Sequence, residues 1–244
     1  MNKRIMLAAT LSWLGASQAH AALSAGDIAF SAFNADEDGY AIVALKAIDA
    51  NTTIFFTDNE FDGLGGFNTG EGKHTWNTGA AMIDAGTVIR FGKVDSIGSQ
   101  TVTFGTLALS GDTGLNATAE TIYAYLGTDV DTPTTFLAAI STGGFSVANG
   151  QLTGTGLTAG VHAVSLTAST DYAEYIGARA GEASFAAYAA LVNDPANWSV
   201  IVGGDNAAAV PNTGSFSVVP VPAALPLLMS GAGLLGVALR RRVA

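Results

Sequence analysis

The sequence predicts an all-β fold, a two-sheet antiparallel β-sandwich with one short amphipathic helix, set between an N-terminal signal peptide and a C-terminal transmembrane sorting helix. Three observations lead there. Between residues 22 and 218, short apolar runs recur between clusters of Gly, Asn, Asp and Thr, the rhythm of strands joined by tight turns. Charged residues make up only 12% of the chain, and small and hydroxylated residues take their place, which suits half-buried strands better than charged helix faces. An apolar stretch flanked by basic residues stands at each end, and between them all 20 acidic residues face only Lys46, Lys73, Arg90, Lys93 and Arg179, a formal charge of −15. The chain thus divides into a leader (1–21), one ectodomain (22–218) and a tail (219–244).

At the N-terminus, Lys3 and Arg4 precede an apolar stretch, 5–14, too short to span a bilayer. Ala19 and Ala21 then flank His20 in the small-x-small pattern after which signal peptidase cuts, so that enzyme is an expected partner and Ala22 the expected mature start. Strands are predicted at 27–33, 41–48, 53–57, 87–91, 101–107, 121–126, 136–141, 161–166, 172–176, 200–202 and 215–218. In 101–107 the alternation would turn Val102 and Phe104 inward, whereas 41–45 is apolar on both faces and belongs in the middle of a sheet. The helix falls at 182–193, where Phe185, Tyr188, Ala189 and Leu191 or Val192 recur at helical spacing before Pro195 halts it. Residues 48–56 (IDANTTIFF) and 83–91 (IDAGTVIRF) echo one another, which suggests one turn-to-strand geometry used twice rather than a solenoid.

The tail begins with Val219, Pro220, Val221 and Pro222. Its run 223–239 has no charge and as a helix would cover about 25 Å, the lower limit for crossing a bilayer. Arg240, Arg241 and Arg242 would hold its end in the cytoplasm and leave the ectodomain outside. With Leu227, Leu228, Gly231, Gly233 and Gly236, this layout resembles the PEP-CTERM sorting signal of Gram-negative bacteria. Val221 stands where the usual motif has glutamate, closer to the Val-Pro-Leu-Pro-Ala variant. The resemblance implies an exosortase as partner, an intermediate anchored in the inner membrane, and delivery to the cell surface or the exopolysaccharide matrix. An ordinary membrane anchor is the alternative, although it needs no paired prolines. The GxGxxG spelled by Gly231, Gly233 and Gly236 lacks the strand before it and the acid about 20 residues on that a dinucleotide site requires.

The anionic ectodomain excludes nucleic acid and anionic lipid as natural partners. Cysteine is absent, which excludes thiol catalysis and zinc–thiolate sites and leaves burial or bound ions to stabilise an exported domain.

Two acidic loops carry the candidate chemistry. In FNADEDGY, Asn34, Asp36 and Asp38 alternate before Gly39, the 1-3-5-6 spacing of a calcium-wrapping loop, though Leu45 stands where an EF-hand has its bidentate glutamate. In TDNEFDG, Asp58, Glu60 and Asp62 form a second set, with Glu71 near by. Calcium is the ion such oxygens would take; the competing reading is Asx turns in which the side chains bond their own backbone. The stretch from GDIAF to FTDN and TGEG, with DPANW further on, also resembles a β-rich module of secreted bacterial proteins for which no catalytic residues are assigned.

Nothing marks an enzyme: there is no GxSxG, HExxH or GxxxxGK, and after the leader only His74 and His162 remain. His74 reads as an exposed or turn residue and His162 as a side chain on a strand surface. The expected function is therefore a non-enzymatic structural or adhesive protein of the envelope or matrix. The alternative is a calcium-assisted carbohydrate-binding module, with Phe61, Phe67, Trp76, Tyr172, Tyr175 and Trp198 as rings that could stack on sugars; a hydrolase comes third.

Overall fold

The computed structural model describes residues 22–111 and 114–219. The predicted leader, the membrane helix 223–239 and the sorting residues from Pro220 onward lie outside these. Among the described residues no helix is long and apolar enough to cross a membrane.

Among the described residues the ectodomain holds fourteen strands and one α-helix. In chain order the strands are β1 (Ile28–Asn34), β2 (Gly39–Ala44), β3 (Thr53–Thr57), β4 (Lys73–Asn77), β5 (Val88–Gly92), β6 (Thr101–Val102), β7 (Thr106–Ser110), β8 (Thr121–Asp129), β9 (Thr132–Ser141), β10 (Ala163–Ser165), β11 (Thr170–Tyr175), β12 (Ala180–Glu182), β13 (Trp198–Val202) and β14 (Ser217–Val218), with α1 (Tyr188–Val192) between β12 and β13. One six-stranded sheet runs β13-β11-β1-β2-β5-β6 and a second β10-β9-β8-β3-β4-β7. Pairing is antiparallel except for β9 with β10 and for the small ribbon of β12 and β14.

The central strands show why the fold closes. Every residue of β1 and β2 is buried, as expected of segments apolar on both faces. Between the sheets, Phe30, Tyr40, Phe56, Trp76 and Phe91 interlock, with Tyr40 and Phe91 stacked at 4.8 Å and Trp76 edge-on to Phe91 at 5.3 Å. Burying each such ring contributes on the order of 2–3 kcal/mol. Alternate residues of the second sheet feed a separate cluster on its other face: Phe55, Tyr123, Tyr125 and Phe136 meet Phe61 and Phe67 from the loop after β3.

The repeated motif pairs with itself. Ile48 and Ile83 exchange both backbone hydrogen bonds at 2.9 Å, after which the two copies diverge, one into β3 of the second sheet and one into β5 of the first. Asn51 (φ 58°) and Gly86 (φ 90°) occupy the same left-handed turn position. Phe56 and Phe91, equivalent in the two copies, then meet at 5.1 Å across the sandwich.

Several elements differ from the sequence reading. The predicted strand 101–107 is two, because Gly105 (φ 77°) turns the chain from β6 in one sheet to β7 in the other. Phe104 sits on that corner, 42% exposed rather than inward, and its carbonyl accepts the Trp76 indole N–H at 2.8 Å. The helix starts later than residue 182, since Glu182 belongs to β12; a 3₁₀ turn, Phe185–Ala187, leads into α1, which buries Tyr188 and Val192. β4 and β12 lie outside every strand the sequence predicts.

The last described segment straps the body. The Phe216 N–H donates to Gly86 O at 2.8 Å, and its ring lies between Tyr175 and Tyr188 with the Arg179 guanidinium 5.0 Å above it.

Candidate cation site

Three acids converge at one end of the core. Asp58 follows β3, Glu71 precedes β4 and Glu120 precedes β8, so neighbouring strands of the second sheet deliver all three. Their ligand oxygens lie within 4.8 Å of one another, with Asp58 and Glu120 buried and Glu71 partly so. Asn59, itself buried, closes the loop between the first two. Its amide donates to Thr57 Oγ1 at 2.8 Å and Gly72 O at 3.2 Å, while its Oδ1 accepts the Glu71 N–H. The Thr57 hydroxyl adds a bond to Gly72 O at 2.7 Å. Glu120 is held by the Asn116 and Thr121 N–H groups.

Electrostatics follow from this crowding. Burial raises Glu120 to about 8 against the opposing bond from Asn116, and the charges of Asp58 and Glu71 push the same way. Burial, then the charge of Asp58, also raises Tyr40. The Tyr40 hydroxyl bonds His74 Nδ1 at 2.9 Å, and burial pushes His74 down to about 3, so the imidazole is neutral near pH 7. His74 is thus a fully buried core residue of β4, not the exposed or turn residue expected, and that burial is what holds it neutral so far below its usual range.

An oxygen-lined cluster of this span can hold a single divalent cation: ligands on opposite sides of an ion bound at about 2.4 Å stand about 4.8 Å apart.

Of the six residues predicted as ligands, only Asp58 belongs to the cluster. Asn34 Oδ1 accepts the Asp36 and Glu37 N–H groups, its amide donates to Asn206 O, and Asp36 Oδ2 accepts the Asn206 N–H at 2.7 Å. Asp38, at φ 54°, accepts the Leu115 N–H at 2.5 Å. The hairpin between β1 and β2 thus uses its acids to tie down neighbouring segments. Glu60 accepts from Asn68, and Asp62 Oδ1 caps the N–H groups of Leu64, Gly65 and Gly66, which lower its pKa. Glu71 stands beside the second predicted loop, whereas the local signal for Glu120 is only an acid placed directly before a strongly apolar strand.

The rings considered for sugar stacking are mostly core: Phe61, Trp76, Tyr172, Tyr175 and Trp198 are all buried, and Phe67 is half-buried. His162 lies in the turn before β10 rather than on a strand face.

Comparison with protein-family models, with curated proteins and with solved structures finds no match.

Proposed function

We propose that this chain is an exported, surface-sorted, non-enzymatic β-sandwich of the cell envelope or exopolysaccharide matrix, stabilised by a calcium ion at Asp58, Glu71 and Glu120. The observation that carries the reading is the position of the acid cluster. It closes the end of a core that has no cysteine, and it joins the starts or ends of three adjacent strands, so an ion there would act as a cross-link. Burial of two of the three acids supports a structural ion over one that meets a substrate. Export is supported by the leader pattern around Ala19 and Ala21 and by the proline-led, arginine-ended tail.

Two measurements test the proposal. Mass spectrometry of the protein recovered from the cell surface should find a chain beginning at Ala22 and ending near Pro220–Pro222; an intact chain in the cytosol overturns export. Purified protein should melt several degrees higher in millimolar calcium than in chelator, and Glu120→Gln should abolish that shift. Equal melting in calcium and chelator removes the ion from the account.

A further inference from the structure

Three asparagines stand in the Asn-x-Ser/Thr pattern whose side-chain nitrogen accepts glycans in exported proteins: Asn51 before Thr53, Asn116 before Thr118 and Asn197 before Ser199. The pattern alone does not separate them. The fold does.

Two of the side chains are already committed. Asn197 is half-buried in the 3₁₀ turn between α1 and β13, and its Nδ2 donates to Leu191 O at 3.0 Å. A sugar on that nitrogen would have to stand against the backbone of α1. The Asn116 side chain and N–H both bond the Glu120 carboxyl, so a sugar there would intrude on the acid cluster.

Asn51 differs. It is exposed in the turn that leads into β3. Its main chain is fixed, since its N–H donates to Gly79 O at 2.7 Å and its carbonyl accepts from Asn77 Nδ2 at 3.4 Å. Its carboxamide makes no hydrogen bond among the described residues, which leaves both Nδ2 protons to solvent. Backbone geometry does not by itself demand asparagine here. A φ of 58° suits glycine as well, and the equivalent turn of the second copy has Gly86. Glycine thus stands where the turn is buried under Phe185 and the Phe216 carbonyl, and asparagine where it is open.

The neighbours fit the same chemistry. The pattern needs a hydroxyl two residues on, and Thr53 Oγ1 accepts from Asn77 Nδ2 at 3.3 Å while its own proton stays uncommitted. Two residues before Asn51, the exposed Asp49 carboxylate has no partner among the described residues, a charge that basic groups of a transferase can grip.

We propose that Asn51 is a glycosylation site, modified after export with an oligosaccharide drawn from a polyprenyl-pyrophosphate donor. The bond from Asn51 Nδ2 to the anomeric carbon forms as the bond from that carbon to the pyrophosphate oxygen breaks. Polyprenyl pyrophosphate leaves, and one Nδ2 proton passes to water. The site goes beyond the structural role above but rests on the export reading, because such transfer takes place outside the cytoplasm.

The test sets the chain's own leader aside. Residues 1–21 are replaced by a leader of known efficiency, and the otherwise full chain is made in a bacterial periplasm supplied with an oligosaccharyltransferase and its lipid-linked glycan. Mass spectrometry of the mature protein should find the glycan on Asn51, with Asn116 and Asn197 bare. Asn51→Gly, which suits the same φ, should remove it. Thr53→Val should cut occupancy about tenfold or more, and Thr53→Ser, which keeps the hydroxyl, should retain it. A bare Asn51 in the parent, equal occupancy at Asn116 or Asn197, or occupancy indifferent to Thr53→Val overturns the inference. Because the leader is borrowed, none of these outcomes touches the export reading, which the terminal masses of the native protein decide separately.

Discussion

At the scale of single residues, the most informative contact is the hydrogen bond between Tyr40 and His74. It joins the two sheets inside the core, and the charge of Asp58 is felt at the same hydroxyl. A neutral imidazole bonded to a neutral tyrosine keeps both groups uncharged in a medium that would tolerate neither charge. Tyr40→Phe preserves the ring packing with Phe30, Phe56 and Phe91 and removes only the hydroxyl, so His74 Nδ1 is left buried and without that bond. The expected cost is about 1–3 kcal/mol, read as a lower denaturation midpoint with an unchanged slope. A loss below about 0.5 kcal/mol would mean that water or another polar group replaces the hydroxyl. No sequence pattern announced this pair. His74 stood between charged and polar neighbours, and its burial is decided by β7 and β3, which flank it.

Elements were legible where their pattern was local. β3 was read with its observed limits, and β1, β5, β8 and β11 within a few residues, because each is a continuous apolar run bounded by turn residues. β4 was missed because its buried positions are His74 and Trp76 among polar neighbours, so the period of two is present but carried by residues that score poorly as strand interior. The acid cluster was half legible for a similar reason. Asp58 and Glu71 lie within one loop, but the third member comes from a strand start far along the chain, and only sheet order brings it near. The 1-3-5-6 spacing at Asn34 is ambiguous by itself because a tight hairpin needs the same short polar residues as a metal loop, and here Asn34 Oδ1 accepts the Asp36 and Glu37 N–H groups. The duplicated turn gives the element-scale prediction. A Cβ on Gly86 would stand 2.4 Å from Phe216 O and 2.5 Å from the Phe185 ring, at a φ that side chains rarely adopt. Gly86→Ala should therefore cost about 2 kcal/mol or more and lift the strap, seen as faster proteolysis between Gly203 and Phe216. Asn51→Gly, at the equivalent position of the other copy, should leave stability within about 0.5 kcal/mol and the strap protected.

For the whole molecule, two buried groups with opposite shifts set how stability follows pH when no cation is bound. His74 titrates near 3 in the folded chain and near 6.5 unfolded, so between those values the unfolded state carries the extra proton and stability rises with pH. Glu120 titrates near 8 folded and near 4.5 unfolded, so between those values the folded state carries the extra proton and stability falls as pH rises. Each slope is about 1.4 kcal/mol per pH unit at full effect. The two cancel between about 4.5 and 6.5, leaving a plateau there, a decline on the acid side from His74, and on the alkaline side a loss of about 2 kcal/mol by pH 8 from Glu120. Chemical denaturation in chelator across this range should trace that profile. Glu120→Gln should remove the alkaline decline and the plateau with it, so that stability rises with pH up to about 6.5 on His74 alone. Saturating calcium should also remove the alkaline decline in the parent, since a bound cation favours the ionised carboxylate that burial otherwise opposes. If the parent in chelator is as stable at pH 8 as at pH 6, Glu120 is not held protonated. The three acids would then be reconciled by solvent rather than by an ion, and the cross-link proposed for this end of the sandwich would lose its electrostatic basis.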